Sequence, residues 1–187
     1  KIFKSSGTIQ NLINSIEKST ISNSNIGIGH VRWATDENPR EENVSPHTSN
    51  HGKLAVVHNG NIENLKALRK ELEEKGSVFK SETDTEMIAH LIATEYNETN
   101  NLLTAVQKAT LKLRGTYAFC VIHEDEPDKI IATKRFAPLM VGISEGENIV
   151  GSDVAALNEI ANKIIDLDDK DIAIITKDKV EIRNGNN

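Results

Sequence analysis

The stretch KLAVVHNGNIENLKALRKELEEKG, Lys53–Gly76, decides the fold class. Its opening is short and apolar and predicts a strand over Lys53–His58, ending at Asn59-Gly60. Its remainder places Ile62, Leu65, Leu68 and Leu72 at helical spacing and predicts an amphipathic helix over Asn61–Lys75. Glu63, Lys66, Arg69, Lys70, Glu73 and Glu74 fill the other face, the pattern of a solvated surface. Gly76 stands where a C-terminal stop is expected.

Downstream, helices are expected over Asp84–Tyr96, with Met87, Ile88, Leu91 and Ile92 buried, and over Leu102–Leu113. Short β-type runs follow at Tyr117–His123, Lys129–Lys134, Leu139–Ser144 and Asn148–Gly151. Asp153–Lys163 reads as a helix capped by Asp153, and Asp171–Thr176 with Lys179–Arg183 as a closing hairpin. Upstream, Lys1–Ser5 reads as a strand, Thr8 as the cap of a helix bearing Ile9, Leu12, Ile13 and Ile16, and Ile26–Trp33 as a strand. Between them and the opening stretch lies a long polar loop, Thr35–Gly52, of a length that is usually functional or mobile. Strands, then helices, then strands imply an α+β fold with helices packed on largely antiparallel sheets.

At 187 residues the chain is sized for one domain, residues 1–187, at ~150 residues per domain. A net charge of -6 argues against a nucleic-acid partner, which selects for basic excess. No apolar run approaches the ~18 residues of a membrane span, and KIFKSSGTIQ is no signal peptide. A single cysteine excludes a disulfide framework and points to a cytoplasmic setting. That residue, Cys120, sits in the apolar run TYAFCVI with no cation nearby, so it reads as a core thiol.

Four segments carry more specific polar chemistry than folding needs. In GHVRWAT, Gly29–Thr35, Arg32 offers the planar fork that binds a carboxylate at two points, and Trp33 follows it. In VVHNG, Asn59 and Gly60 fit either a tight turn or an amide beside a permissive backbone N–H, the make-up of an oxyanion hole. In SETDTE, Ser81–Glu86, Asp84 fits a helix cap or a carboxylate free for an ammonium group. An Arg and an Asp held close would grip both ends of an amino acid's α-carbon. His47, His51 and His58 lack the carboxylate or cysteine spacing of a metal site, and no metal or cofactor is expected.

In order, GIGHVRWAT, VVHNGNIENLKALRKELEEKG, FKSETDTEMIAHLI and APLMVGISEGENIVGSD resemble the glutaminase domain of glutamine–fructose-6-phosphate aminotransferases, class II glutamine amidotransferases. The likeness runs from Lys1 to about Arg183. Amidophosphoribosyltransferases share the class but carry Tyr-Ser where Trp33-Ala34 stand. The resemblance implies an N-terminal-nucleophile hydrolase fold, two stacked antiparallel sheets between helical layers. It implies hydrolysis of glutamine to glutamate by an N-terminal cysteine whose own α-amine is the base, with the ammonia passed to sugar-phosphate isomerase domains for amination of fructose 6-phosphate. It assigns Arg32 to the glutamine carboxylate, Asp84 to its ammonium, and Asn59 and Gly60 to the oxyanion hole. Trp33 becomes the gate for ammonia and Thr35 a pocket contact.

The resemblance also sets departures. Family members begin Cys-Gly-Ile, several tens of residues ahead of the segment matching Lys1, so a longer chain supplying that cysteine is expected; Cys120 is internal and does not replace it. Isomerase domains are not among these residues, and the isolated domain is expected to be able to exist as a monomer. Asp36 and Ser45 stand where the family has histidines, while His47 keeps its histidine. Alternative readings are a glutamine-binding module without a nucleophile, and the glutaminase domain of another class II amidotransferase.

Overall fold

A computed structural model describes residues 1–19, 24–32 and 40–184. Helix α1 (Ile9–Glu17) precedes strands β1 (His47–Thr48) and β2 (Leu54–Ile62). Helices α2 (Leu65–Glu74), α3 (Asp84–Thr99) and α4 (Leu102–Lys112) follow. Then come β3 (Gly115–His123), β4 (Glu126–Arg135), β5 (Met140–Ile143), β6 (Asn148–Gly151), α5 (Val154–Asn158), β7 (Lys163–Asp166), β8 (Asp171–Thr176) and β9 (Val180–Asn184). Two sheets form, in the orders β1-β2-β3-β4-β8-β9 and β6-β5-β7. Every pairing between these strands is antiparallel.

The period-two pattern of β3 builds two cores at once. Tyr117, Phe119 and Val121 point to one face and pack with Leu68, Leu72, Met87, Ile88, Leu91 and Val106 of the helices. Ala118 and Cys120 point to the other and pack with Val57, Ala132, Leu139 and Val141. Strand β8 repeats the division, with Ile172 on the helical side and Ala173 and Ile175 between the sheets. Because both faces are covered, these strands read as continuous apolar runs rather than alternating ones. On β5, Val141 faces the large sheet while a Cβ on Gly142 would meet Ala161 and Leu157, which places α5 over the outer face. Two stacked antiparallel sheets between helical layers result, as the resemblance implied.

Several local expectations give way. Residues 26–32 form no strand; Ile26 and Ile28 use their alternation to pack against the inter-sheet core, but no ladder pairs with them among the described residues. Lys1–Ser5 is likewise irregular. The helix expected at Asn61 starts at Leu65, because Asn59–Ile62 continue β2 in register with Gly115–Ala118. The helix expected through Lys163 stops at Asn158. There the Asn162 N–H donates to the Ile143 carbonyl and β-branched Ile164 and Ile165 enter a ladder with β5.

Candidate active site

Strand β2 delivers the first part of the site. Asn59 pairs with Ala118 and Gly60 with Tyr117, so the Asn-Gly dipeptide is strand and not turn. The Glu124 N–H donates to the Lys53 carbonyl at 2.8 Å, and the Glu63 N–H to the Arg114 carbonyl at 3.0 Å. The register between them is unbroken, so odd-numbered residues of β2 exchange hydrogen bonds with β3 and even-numbered ones face the opposite edge. On that edge β1 covers only Ala55 and Val56. Beyond it, the Ile62 N–H donates to Asp84 Oδ2 at 3.2 Å, and the Gly60 N–H is directed to the open edge. Gly60 has φ of 141°, and a Cβ there would overlap the Thr116 carbonyl and lie 2.8 Å from the Tyr117 Cα. The site therefore requires glycine at this position.

The start of α3 delivers the second part. Thr83, not Asp84, is the N-cap: its hydroxyl accepts from the Glu86 N–H at 3.2 Å. That leaves the Asp84 carboxylate turned towards β2, where Oδ1 lies 3.4 Å from His58 Nδ1. Burial pushes the Asp84 carboxyl up, but the hydrogen bond and charge of His58 and the N–H groups of Ile62 and Thr85 outweigh it. The net effect holds Asp84 below the ordinary carboxylate value, so it is an anion at neutral pH. Glu86 fastens the turn before the helix, accepting from the Lys80 N–H at 2.8 Å and the Ser81 N–H and Oγ–H at 2.6 and 2.7 Å.

Residues 26–32 deliver the third. Arg32 Nη1 donates to the Asn43 carbonyl at 2.5 Å, which anchors one arm of an otherwise exposed guanidinium. His30 Nε2 lies 2.7 Å from Asn59 Oδ1. With the proton on Nε2 this bond occupies the Asn59 oxygen and leaves the NH2 group as a donor.

Arg32, Asn59, Gly60 and Asp84 line one cavity of about 560 Å³, together with His30, Asn43, Ser45 and Thr83. A cation, an anion and two neutral donors thus converge where a zwitterion with an amide side chain would fit. Trp33 and Thr35, and with them Asp36, lie outside the described residues. Cys120 borders a second cavity, of about 530 Å³, between the sheets; burial pushes its thiol up to about 12, which leaves it inert as a nucleophile. The sequence leads one to expect hydrogen bonds from His30 and His58 near the strand ends, and both form, to Asn59 Oδ1 and Thr85 Oγ1; it does not single out the supporting residues Asn43 and Thr83.

Residues 30–159 match the model of a family described as "Glutamine amidotransferase domain". The chain belongs to that family. This amidotransferase domain is similar to glutamine–fructose-6-phosphate aminotransferase [isomerizing] of Aquifex aeolicus, 52% identical over 158 residues, or 84% of this chain and 26% of that protein. It is similar to the enzyme of the same name in Acinetobacter baylyi, 46% identical over 176 residues, 94% of this chain and 28% of that protein. The chain thus spans little more than a quarter of the length of these curated relatives. Among solved structures it resembles glutamine phosphoribosylpyrophosphate amidotransferase from B. subtilis, with a TM-score of 0.69 and 28% identity over 83% of this chain and 34% of that one. The amidotransferase domain therefore has the expected fold. Among its described residues no helix is long and apolar enough to cross a membrane.

Proposed function

We propose that this amidotransferase domain, taken as residues 1–187, binds L-glutamine in the cavity at the open edge of β2 and releases ammonia from its side-chain amide. The observation that carries this reading is the convergence of Arg32, Asp84, Asn59 and Gly60 on that single cavity. Arg32 takes the α-carboxylate and Asp84 the α-ammonium, which fixes the α-carbon and aims the side chain at Asn59 and Gly60. The Asn59 NH2 and the Gly60 N–H donate to the oxygen that becomes anionic when the amide carbon turns tetrahedral. In this reading a cysteine thiol from outside these 187 residues attacks that carbon. Its α-amine takes the thiol proton and passes it to the leaving nitrogen, the C–N bond breaks, and water cleaves the thioester to glutamate. Trp33 belongs to the proposal as the gate for ammonia passage and Thr35 as a contact lining the glutamine pocket.

The ammonia acceptor is proposed by likeness to the named relatives: fructose 6-phosphate, held by isomerase domains of a longer cytoplasmic protein. A second reading is a glutamine-binding module without hydrolysis; of these 187 residues the one thiol, Cys120, is buried outside the cavity that Arg32, Asp84, Asn59 and Gly60 line. One experiment separates them: ammonia release from L-glutamine by the full-length protein that contains these 187 residues, followed against glutamine concentration. Hydrolysis supports the enzyme, with Arg32→Ala and Asp84→Asn raising KM and Asn59→Ala lowering kcat by about 10²–10³. Binding without ammonia release supports the module. Undiminished turnover in Asn59→Ala sinks the oxyanion assignment.

A further inference from the structure

The two grips of the proposed glutamine pocket come from separate segments, and each depends on a neighbour. Arg32 is steadied by the carbonyl of Asn43 at 2.5 Å. Asp84 is placed by Thr83, whose side chain caps α3. Nothing in the β ladders joins these two supports, because β1 pairs only with Val56 and Ala55 of β2. What joins them is one imidazole. His47 is 4% exposed, and its Nε2 lies 3.1 Å from Thr83 Oγ1. Its ring also faces the backbone of Asn43, four residues earlier, the same peptide that holds Arg32. From Thr83 the network continues to Ser81 Oγ at 2.9 Å and from there to the buried Glu86 carboxylate at 2.7 Å. The ring, which is not among the residues lining the cavity, is therefore tied to both supports.

We propose that His47 is a positioning residue that holds the Arg32 support and the Asp84 support in register, and so sets the distance and handedness at which an α-amino acid is accepted. The proposal rests on the glutamine reading of the cavity. Recognition of one enantiomer needs three fixed points, here Arg32 for the carboxylate, Asp84 for the ammonium and Asn59 with Gly60 for the side-chain amide. Loosening the tie lets the first two drift relative to one another. That costs affinity for L-glutamine, and it costs selectivity over D-glutamine even more directly. A side chain that merely filled space behind the pocket would not change selectivity.

The test is calorimetric titration of the full chain with L-glutamine and with D-glutamine, for wild type, His47→Phe and His47→Gln. His47→Phe keeps a ring and loses both polar contacts. His47→Gln restores an amide able to reach Thr83. The expected result is an L-glutamine Kd about tenfold weaker in His47→Phe, the size of one intramolecular hydrogen bond. The L-to-D ratio falls with it, and His47→Gln recovers much of both. Circular dichroism and Tm establish that each variant is folded. If His47→Phe does not fold, His47→Leu takes its place, and an unchanged Kd and L-to-D ratio in folded His47→Leu overturn the proposal. Wild-type affinity and selectivity in folded His47→Phe likewise overturn it while leaving the glutamine reading intact. A wild-type protein that binds no glutamine removes that reading and this inference together.

Discussion

Gly60→Ala should destabilise the domain far more than an ordinary glycine substitution, and the structure supplies its own control. Gly60 has φ of 141° and Gly76 has φ of 93°, so alanine is strained at both. At Gly76 an added Cβ meets nothing within 4 Å, and the cost is that of a left-handed non-glycine residue, about 1–2 kcal/mol. At Gly60 the Cβ overlaps the Thr116 carbonyl oxygen and lies 2.8 Å from both the Thr116 carbonyl carbon and the Tyr117 Cα. Those are backbone atoms of the neighbouring strand, so no rotamer relieves the collision and β2 must separate from β3. Backbone strain of about 1–3 kcal/mol and overpacking of about 1–3 kcal/mol add to roughly 2–6 kcal/mol. At about 2–4 °C per kcal/mol for a domain of this size, Tm should fall by roughly 4–24 °C in Gly60→Ala and by about 2–8 °C in Gly76→Ala. Thermal unfolding followed by circular dichroism reads both. The same strand separation moves the Gly60 N–H, so glutamine binding should fail in Gly60→Ala below its lowered Tm and persist in Gly76→Ala. A Gly60→Ala protein as stable as Gly76→Ala would refute the close packing of β2 on β3 from which the oxyanion geometry is argued.

Cys120, with its thiol pushed up to about 12 by burial, should resist iodoacetamide in the native protein and react once unfolded; mass spectrometry before and after denaturant checks this. Burial, followed by the positive charge of Lys4, lowers His47 from 6.5 to about 4, so between these values the unfolded chain binds a proton that the folded chain does not. Stability should therefore be full above about pH 6.5 and decline as pH drops towards 4, and His47→Gln should flatten that stretch of the Tm–pH curve; equal slopes in the two proteins would count against a buried neutral ring. Thr83→Ala removes the cap of α3, with an expected loss of about 1 kcal/mol, read as a Tm lower by about 2–4 °C together with weaker glutamine binding. A change in Tm without a change in binding would separate the cap from the placement of Asp84.

The helices and central strands were legible because their patterns are long and redundant. Leu68 and Leu72 of α2, Met87 to Ile92 of α3, and the apolar runs of β3 and β8 each point to one solution. What was illegible depended on partners remote in sequence. Ile26–Arg32 has the alternation of a strand, but strand status belongs to the pair, and no partner meets it among the described residues. Ile164 and Ile165 became β7 only because β5 lies alongside. The chemical residues Arg32, Asn59, Gly60 and Asp84 stood out as polar groups at the ends of apolar elements. Their supports did not: Asn43 acts through a carbonyl that every residue has, and Thr83 preceded an Asp that reads equally well as the cap.

The location of the cavity follows from the shortness of β1. An unpaired strand edge exposes N–H and C=O groups that a protein ordinarily covers or blunts. Here β1 covers only Ala55 and Val56, and the rest of the β2 edge is left over. Its Ile62 N–H holds the Asp84 carboxylate, which fixes the anionic grip to the same strand that carries Asn59 and Gly60. Its Gly60 N–H remains a donor at the cavity wall. Had β1 begun upstream of His47 in the same register, Ser45 and Asn43 would have run alongside His58 and Gly60 and consumed that donor in a ladder. The polar loop before β2, with Arg32's anchor at Asn43 and the His47 tie at its end, therefore does two things with one segment: it stops pairing at Val56, and it carries the residues that orient the groups left exposed beyond it.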